Sequence, residues 1–212
     1  MIRAYQETYL KKAQSALGDA FDHAVNTCKI PGDDFIKLFT ASSVSKRMEN
    51  GEPSYIAGKS GAEIAIDVML ETTGQLLEFE PKARFSRSPE YWIGWAVCYY
   101  QWSSGRSYSD IFKVLSFDDL EKMYYTLHEA DVTKFAEIAD KRIHDHFKET
   151  NLKRIRSSYG CTQTDLAKRS GVSLRSIQMY EQRNKDINKA SGETLYRIAN
   201  ILGCDMEDLL EK

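Results

Sequence analysis

No apolar run in the chain approaches the roughly 20 residues that a membrane-spanning helix requires. The opening "MIRAYQETYLKKAQ" interrupts any greasy segment with charges and Gln, so neither a membrane anchor nor a signal peptide is expected, and the reading is a cytoplasmic protein. Cysteine is scarce too. Cys28, Cys98, Cys161 and Cys204 stand far apart, with no CxxC pair and no His at zinc-finger spacing, which predicts reduced, mostly buried thiols and no metal or disulfide framework. Convincing strands are missing as well. Against these absences stand 212 residues and 42% hydrophobic content, enough to fill a real core.

Charge is unevenly placed. Residues 1–150 carry 18 Lys and Arg against 23 Asp and Glu, a balance of −5, whereas residues 151–199 carry 10 against 4, a balance of +6. A phosphate backbone responds to the local field, so the overall charge of −2 does not argue against nucleic acid as a partner.

Helical signals cover nearly the whole chain. Ile2, Tyr5, Tyr9, Ala13, Leu17, Phe21, Val25 and Cys28 recur at three-to-four spacing and predict one helix with a single buried stripe, ended by Pro31 and Gly32. A second helix is expected from about Asp34 to Asn50. A third follows Ser60 and Glu63, which form a capping box, and ends at Gly74. Ser88 and Pro89 open "SPEYWIGWAVCYYQWSSG", which Gly105 closes; Ser116 with Asp119 starts another helix, and Asp131 one running to about Lys148. The expected organisation is all-α: a helical domain over residues 1–148 with six or seven helices, then a second domain over 149–212. The junction "HDHFKETNLKRIR" has no flexible spacer, so the two should lie close together.

The second domain carries the chemistry. Thr162 and Asp165 cap a helix over about 163–169, Gly171 supplies the turn, and Ser173 caps a helix over about 174–181. Leu166, Ala167, Val172, Ile177 and Tyr180 should lie between the two. This is a helix-turn-helix pattern, whose second helix enters the DNA major groove. The match extends beyond the pair: Leu152 and Arg156, Thr162 to Ala167, Gly171 to Ser173, Ile177 and Glu181, Glu193 to Gly203, and Asp205 to Leu210 fall at the offsets of the XRE family. Residues 151–211 thus resemble its five-helix, lambda-repressor-like DNA-binding domain.

With Ile177 and Tyr180 facing inward, Leu174, Arg175, Gln178 and Met179 become the exposed part of the second helix, joined at its start by Ser173 and Ser176. Arg175 is the leading base reader, because a guanidinium can bond guanine O6 and N7 together. Gln178 suits adenine or phosphate, and Leu174 and Met179 suit a thymine methyl. The resemblance implies that Gln163 meets a phosphate and that Arg183 and Lys185 contact the backbone. The loop after the helix reads "EQRNKD" where the family has "ENG", so its left-handed turn is expected at Asn184.

No catalytic grouping emerges. "GKSG" at 58–61 fails as a phosphate loop, since the glycine required five residues before Gly58 is Pro53. His144 and His146, two apart on a helix, point to different sides. "SSVSKRMENG" misses the spacing of a second recognition helix. Thirteen of 24 aromatics lie between Phe79 and Tyr125, and Trp92, Trp95, Tyr99 and Trp102 form one helical stripe, read either as a buried central helix or as a surface for a protein partner or small ligand. The N-terminal region resembles an uncharacterised all-helical domain fused to such DNA-binding domains in bacteria. Two functions follow: a transcriptional repressor bound as a homodimer to a double-stranded operator, or an antitoxin-like protein that neutralises a partner and represses its own operon. No enzyme activity and no cofactor are expected.

Overall fold

The computed structural model describes residues 4–75, 87–147 and 149–211, and every regular element among them is helical. In chain order these are α1 (Leu10–Asp22), α2 (Gly32–Ala41), α3 (Ser43–Glu49), α4 (Gly61–Thr73), α5 (Pro89–Ser104), α6 (Tyr108–Val114), α7 (Phe117–Leu127), α8 (Val132–Phe147), α9 (Asn151–Ser158), α10 (Gln163–Ser170), α11 (Leu174–Glu181) and α12 (Gly192–Leu202). The expected positions Ile2, Phe79 and Lys148 lie outside the described residues.

Helix α5 is the hub of the first eight helices. Its ends follow its sequence: the Ser88 hydroxyl accepts from Tyr91 N–H, Pro89 sits at the first turn, and Gly105 closes the helix in the left-handed region. It is buried on most sides, with Tyr91 and Tyr100 inside as well as Trp92 and Trp102. Trp92 packs edge-on against Tyr124 of α7 and Phe135 of α8. Its closest neighbour is α1, and the two backbones touch. A Cβ on Gly94 would lie 2.4 Å from Leu17 O and 3.0 Å from Gly18 Cα, and one on Gly18 would lie 2.8 Å from Tyr91 O. Two glycines therefore set how closely the pair can cross.

Three expectations need correction. The first helix does not run from Ile2 to Cys28. The chain before it crosses the end of α5, where Trp102 Nε1 donates to Tyr5 O at 2.8 Å and Ala4 N–H to Trp102 O at 3.0 Å, and only the short 3-10 turn Glu7–Tyr9 precedes α1. At its other end α1 passes into a π-helical turn, His23–Thr27, with Cys28 N–H bonded to His23 O. The extra residue in that turn rotates the face, so Ala24 is fully buried while Val25 and Cys28 are half-exposed. The helix expected from Asp34 to Asn50 is two helices, starting earlier at Gly32. Ser42 is extended (φ −77°, ψ 161°) and its hydroxyl donates to Phe39 O, ending α2 before α3 begins. Finally, the last helix of the expected five-helix domain is a short 3-10 helix, Met206–Leu209, on which Asp205 and Asp208 form a capping box.

Other signals read correctly. Ser60 and Glu63 form a reciprocal capping box, as do Ser116 and Asp119. Lys59 of "GKSG" pairs with Asp67 and lies over the Tyr55 ring, and Val44 and Met48 of "SSVSKRMENG" are core residues. Cys98 and Cys161 are buried and all four thiols are free. Burial pushes the thiols of Cys28, Cys98 and Cys204 up to about 11.

The apolar residues form two clusters. One runs from Ala13 to Ile143, and the other from Leu152 to Leu209. Between them Thr150 caps α9 through Lys153 N–H, Arg154 Nη1 donates to Ser104 O at 3.0 Å, and Arg183 Nη2 reaches Glu149 O at 3.4 Å.

Gly94→Ala should drive the added methyl into the α1 backbone and destabilise the first cluster by about 1 to 3 kcal/mol or more, read as a lower unfolding midpoint by tryptophan fluorescence. Because the thiolate is the reactive form, Cys98 in the folded protein should resist a thiol reagent at neutral pH and react only on unfolding.

Candidate nucleic-acid interface

The site is built on α10, α11 and the turn between them. Thr162 caps α10 by accepting from Asp165 N–H. Gly171 takes φ 69° and its N–H bonds Ala167 O, which redirects the chain within one residue; an L side chain there would be strained. Ser173 then caps α11 by accepting from Ser176 N–H. Leu166 and Ile177 are completely buried and Tyr180 nearly so, with Ala167 and Val172 packed against them, so the inward face is the expected one.

A carboxylate bolts this pair to α9. Glu181, the last residue of α11, accepts from Arg156 Nε at 2.6 Å and Nη2 at 2.9 Å, and from Gln163 Nε2 at 2.7 Å. Arg156 Nη1 donates in addition to Cys161 O at 2.7 Å. The side chains of Glu181 and Arg156 are 2% and 12% exposed, so the pair sits where solvent screens it weakly. The forked geometry fixes direction as well as distance. Both residues were legible only as positions in a family pattern; their role as a bolt needs the fold that brings residues 25 apart together.

The outward face of α11 carries the candidate readers. Arg175 is exposed and its guanidinium has no intramolecular partner among the described residues. Leu174 is exposed, while Ser176, Gln178 and Met179 are half-buried beside it, and Ser173 lies exposed at the helix start. Gln163 stands at the first position of α10 with its amide engaged by Glu181. Lys185 is exposed, its ammonium 5.1 Å above the Tyr180 ring.

Arg183 is placed differently from its neighbours. It, and not Asn184, takes the left-handed backbone conformation (φ 58°), which corrects the expectation for the "EQRNKD" loop. The turn is held by Asn184 N–H and Lys185 N–H, both bonded to Met179 O. The Arg183 guanidinium points back to the junction, to Glu211 Oε2 at 3.2 Å and His144 Nε2 at 3.3 Å. The aromatic stripe of α5 also divides. Trp92 and Trp102 are core residues, leaving Trp95 and Tyr99 as its half-exposed members. His144 is half-buried and His146 exposed, and no group of three or more His, Cys, Asp or Glu is arranged to hold a metal among the described residues.

Residues 152–209 match a family model described as helix-turn-helix. This part of the chain is an XRE-type helix-turn-helix domain. Comparison with curated proteins and with solved structures yields no match. The helix-turn-helix domain makes the chain DNA-binding, of the transcription-regulator type, and a helical region precedes it. No helix among the described residues is long and apolar enough to cross a membrane.

Glu181→Ala leaves Arg156 and Gln163 without their shared acceptor, and removing one partner of a buried ion pair costs about 3 to 5 kcal/mol. All three tryptophans lie outside the helix-turn-helix domain. The variant should therefore show a far-UV circular dichroism transition split from, and earlier than, its tryptophan transition; coincident transitions would contradict the bolt.

Proposed function

We propose that the chain is a sequence-specific transcriptional repressor that lays α11 in the major groove of its operator, with Arg175 reading a guanine. The observation that carries the reading is an asymmetry on one helix. The inner face of α11 is buried and its last residue is clamped by a forked ion pair, while Arg175 on the outer face is exposed and unpaired. A rigid helix that presents a free guanidinium is prepared for bidentate bonding to O6 and N7. Gln178 lies beside it for a second polar contact, with Leu174 and Met179 for apolar ones. Gln163, Ser173, Ser176 and Lys185 take the positioning contacts to phosphate, which fix register and make affinity salt-dependent.

One such unit covers about half an operator, so the repressor acts as a homodimer on two half-sites about one helical turn apart. Residues 1–148 form the regulatory domain and 149–212 the reading domain. Arg183, turned toward Glu211 and His144, serves the junction between them in the DNA-free protein.

Arg175→Ala should weaken binding to the selected operator by about 1 to 3 kcal/mol while leaving binding to random duplex nearly unchanged, measured by fluorescence anisotropy at fixed salt. Equal losses on both duplexes would remove Arg175 as a reader. Deleting residues 151–212 should abolish duplex binding, and retention by the N-terminal fragment would overturn the division of roles.

A further inference from the structure

A cavity of about 570 Å³ lies where the helix-turn-helix domain meets the N-terminal helices. Its walls come from both sides of the junction: Glu49 at the end of α3, Gln101 and Arg106 at the end of α5 and the turn after it, Asp110 on α6, then Glu149 and Arg154. Pockets of this size commonly hold small molecules.

Arg106 is its most informative residue. It is 4% exposed, and its Nη1 donates to Glu149 Oε1 at 2.7 Å. Its Nε and Nη2 are buried without a protein partner, as are Arg154 Nε and Gln101 Oε1 on the same cavity. The Nε and Nη2 atoms form the edge of a guanidinium that forks a carboxylate or phosphate through two parallel bonds. Within this same chain Arg156 uses that edge fully, holding Glu181 by Nε and Nη2. On Arg106 the same two atoms have no acceptor. Buried donors left unbonded are costly, and three of them belong to the two arginines that line this cavity. Glu49, Asp110 and the Gln101 carbonyl add acceptors around the same space.

We propose that this cavity binds a small polar metabolite with an oxyanion head, a carboxylate or a phosphate ester. The head is forked by the Nε and Nη2 edge of Arg106, with Arg154 Nε beside it, and hydrogen-bond donors at its other end meet Glu49 and Asp110. Such a ligand touches both sides of the junction, because Arg154 belongs to α9. Two residues further along that helix, on a different side, Arg156 holds Glu181 at the end of α11. The ligand therefore bears on the helix that orients the reading surface. That consequence rests on the DNA-reading assignment; the binding site does not.

The test is thermal unfolding of the full chain, without DNA, in inorganic phosphate or in succinate, each against sodium chloride at matched ionic strength. The unfolding midpoint should rise with the concentration of one or both anions beyond the chloride control, and the anion that acts identifies the head group. Arg106→Lys keeps the charge but loses the fork, and Arg154→Gln removes the second donor. Each should weaken the apparent affinity at least tenfold, while Lys122→Ala on the exposed face of α7 keeps it. If Arg106→Lys fails to fold, Arg154→Gln, which retains the buried arginine, decides alone. No rise above chloride with either anion, or a rise undiminished in the arginine variants, overturns the site. Duplex binding is measured separately, so loss of that activity leaves this result standing.

Discussion

The reading surface depends on one buried carboxylate. Glu181 ends α11, the helix proposed to face DNA, and accepts three hydrogen bonds, two from Arg156 on α9 and one from Gln163 on α10, so a single side chain joins three helices. A forked pair held away from solvent is directional and weakly screened, and its loss strands a buried charge. Apolar packing of Leu166, Ile177 and Tyr180 brings the helices together but tolerates sliding; the ion pair removes that freedom. In the proposed reading, a clamped helix is what lets Arg175 keep one direction.

The N-terminal helices obey a constraint of a different kind. At Gly18 and Gly94 the backbones of α1 and α5 are in contact, and no side chain fits between them. Such closeness lets α5 bury most of its circumference, with Tyr91 and Tyr100 inside as well as Trp92 and Trp102. The end of α5 then does two further tasks. Trp102 ties down the N-terminal segment, and the turn after Gly105 carries Arg106 to the junction with the helix-turn-helix domain. The rigidity of one crossing is thus felt at the boundary where a regulatory signal would have to pass.

Polar contacts cross that boundary. Arg106 with Glu149, Arg154 with Ser104 O, and Arg183 with Glu211 and Glu149 O link the two sides through hydrogen bonds and ion pairs. Polar contacts of this sort can be exchanged for contacts with a ligand or with DNA phosphate more readily than an apolar interface can be opened, because water and ions offer substitute partners. A junction of this composition suits a protein whose two parts must influence one another.

Local chemistry was legible in the sequence: the capping residues Ser60, Ser88, Ser116 and Ser173, the left-handed glycines at 74, 105 and 171, and the period that turns Ile177 and Tyr180 inward. These signals act within a few residues, so their meaning does not depend on the rest of the chain. The helix-turn-helix domain was readable for the same reason, its motifs being local and closely spaced. Tertiary structure decided what depends on distant neighbours. Trp102 stopped α1 from starting early, a π turn shifted its face by one residue, and Arg183 turned toward the junction and took the left-handed conformation expected of Asn184. The cluster of Arg106, Glu149 and Arg154 had no sequence signature, since no period links Arg106 to a residue 43 positions away; only the packing of one helical unit on the other brings their charges to a single cavity.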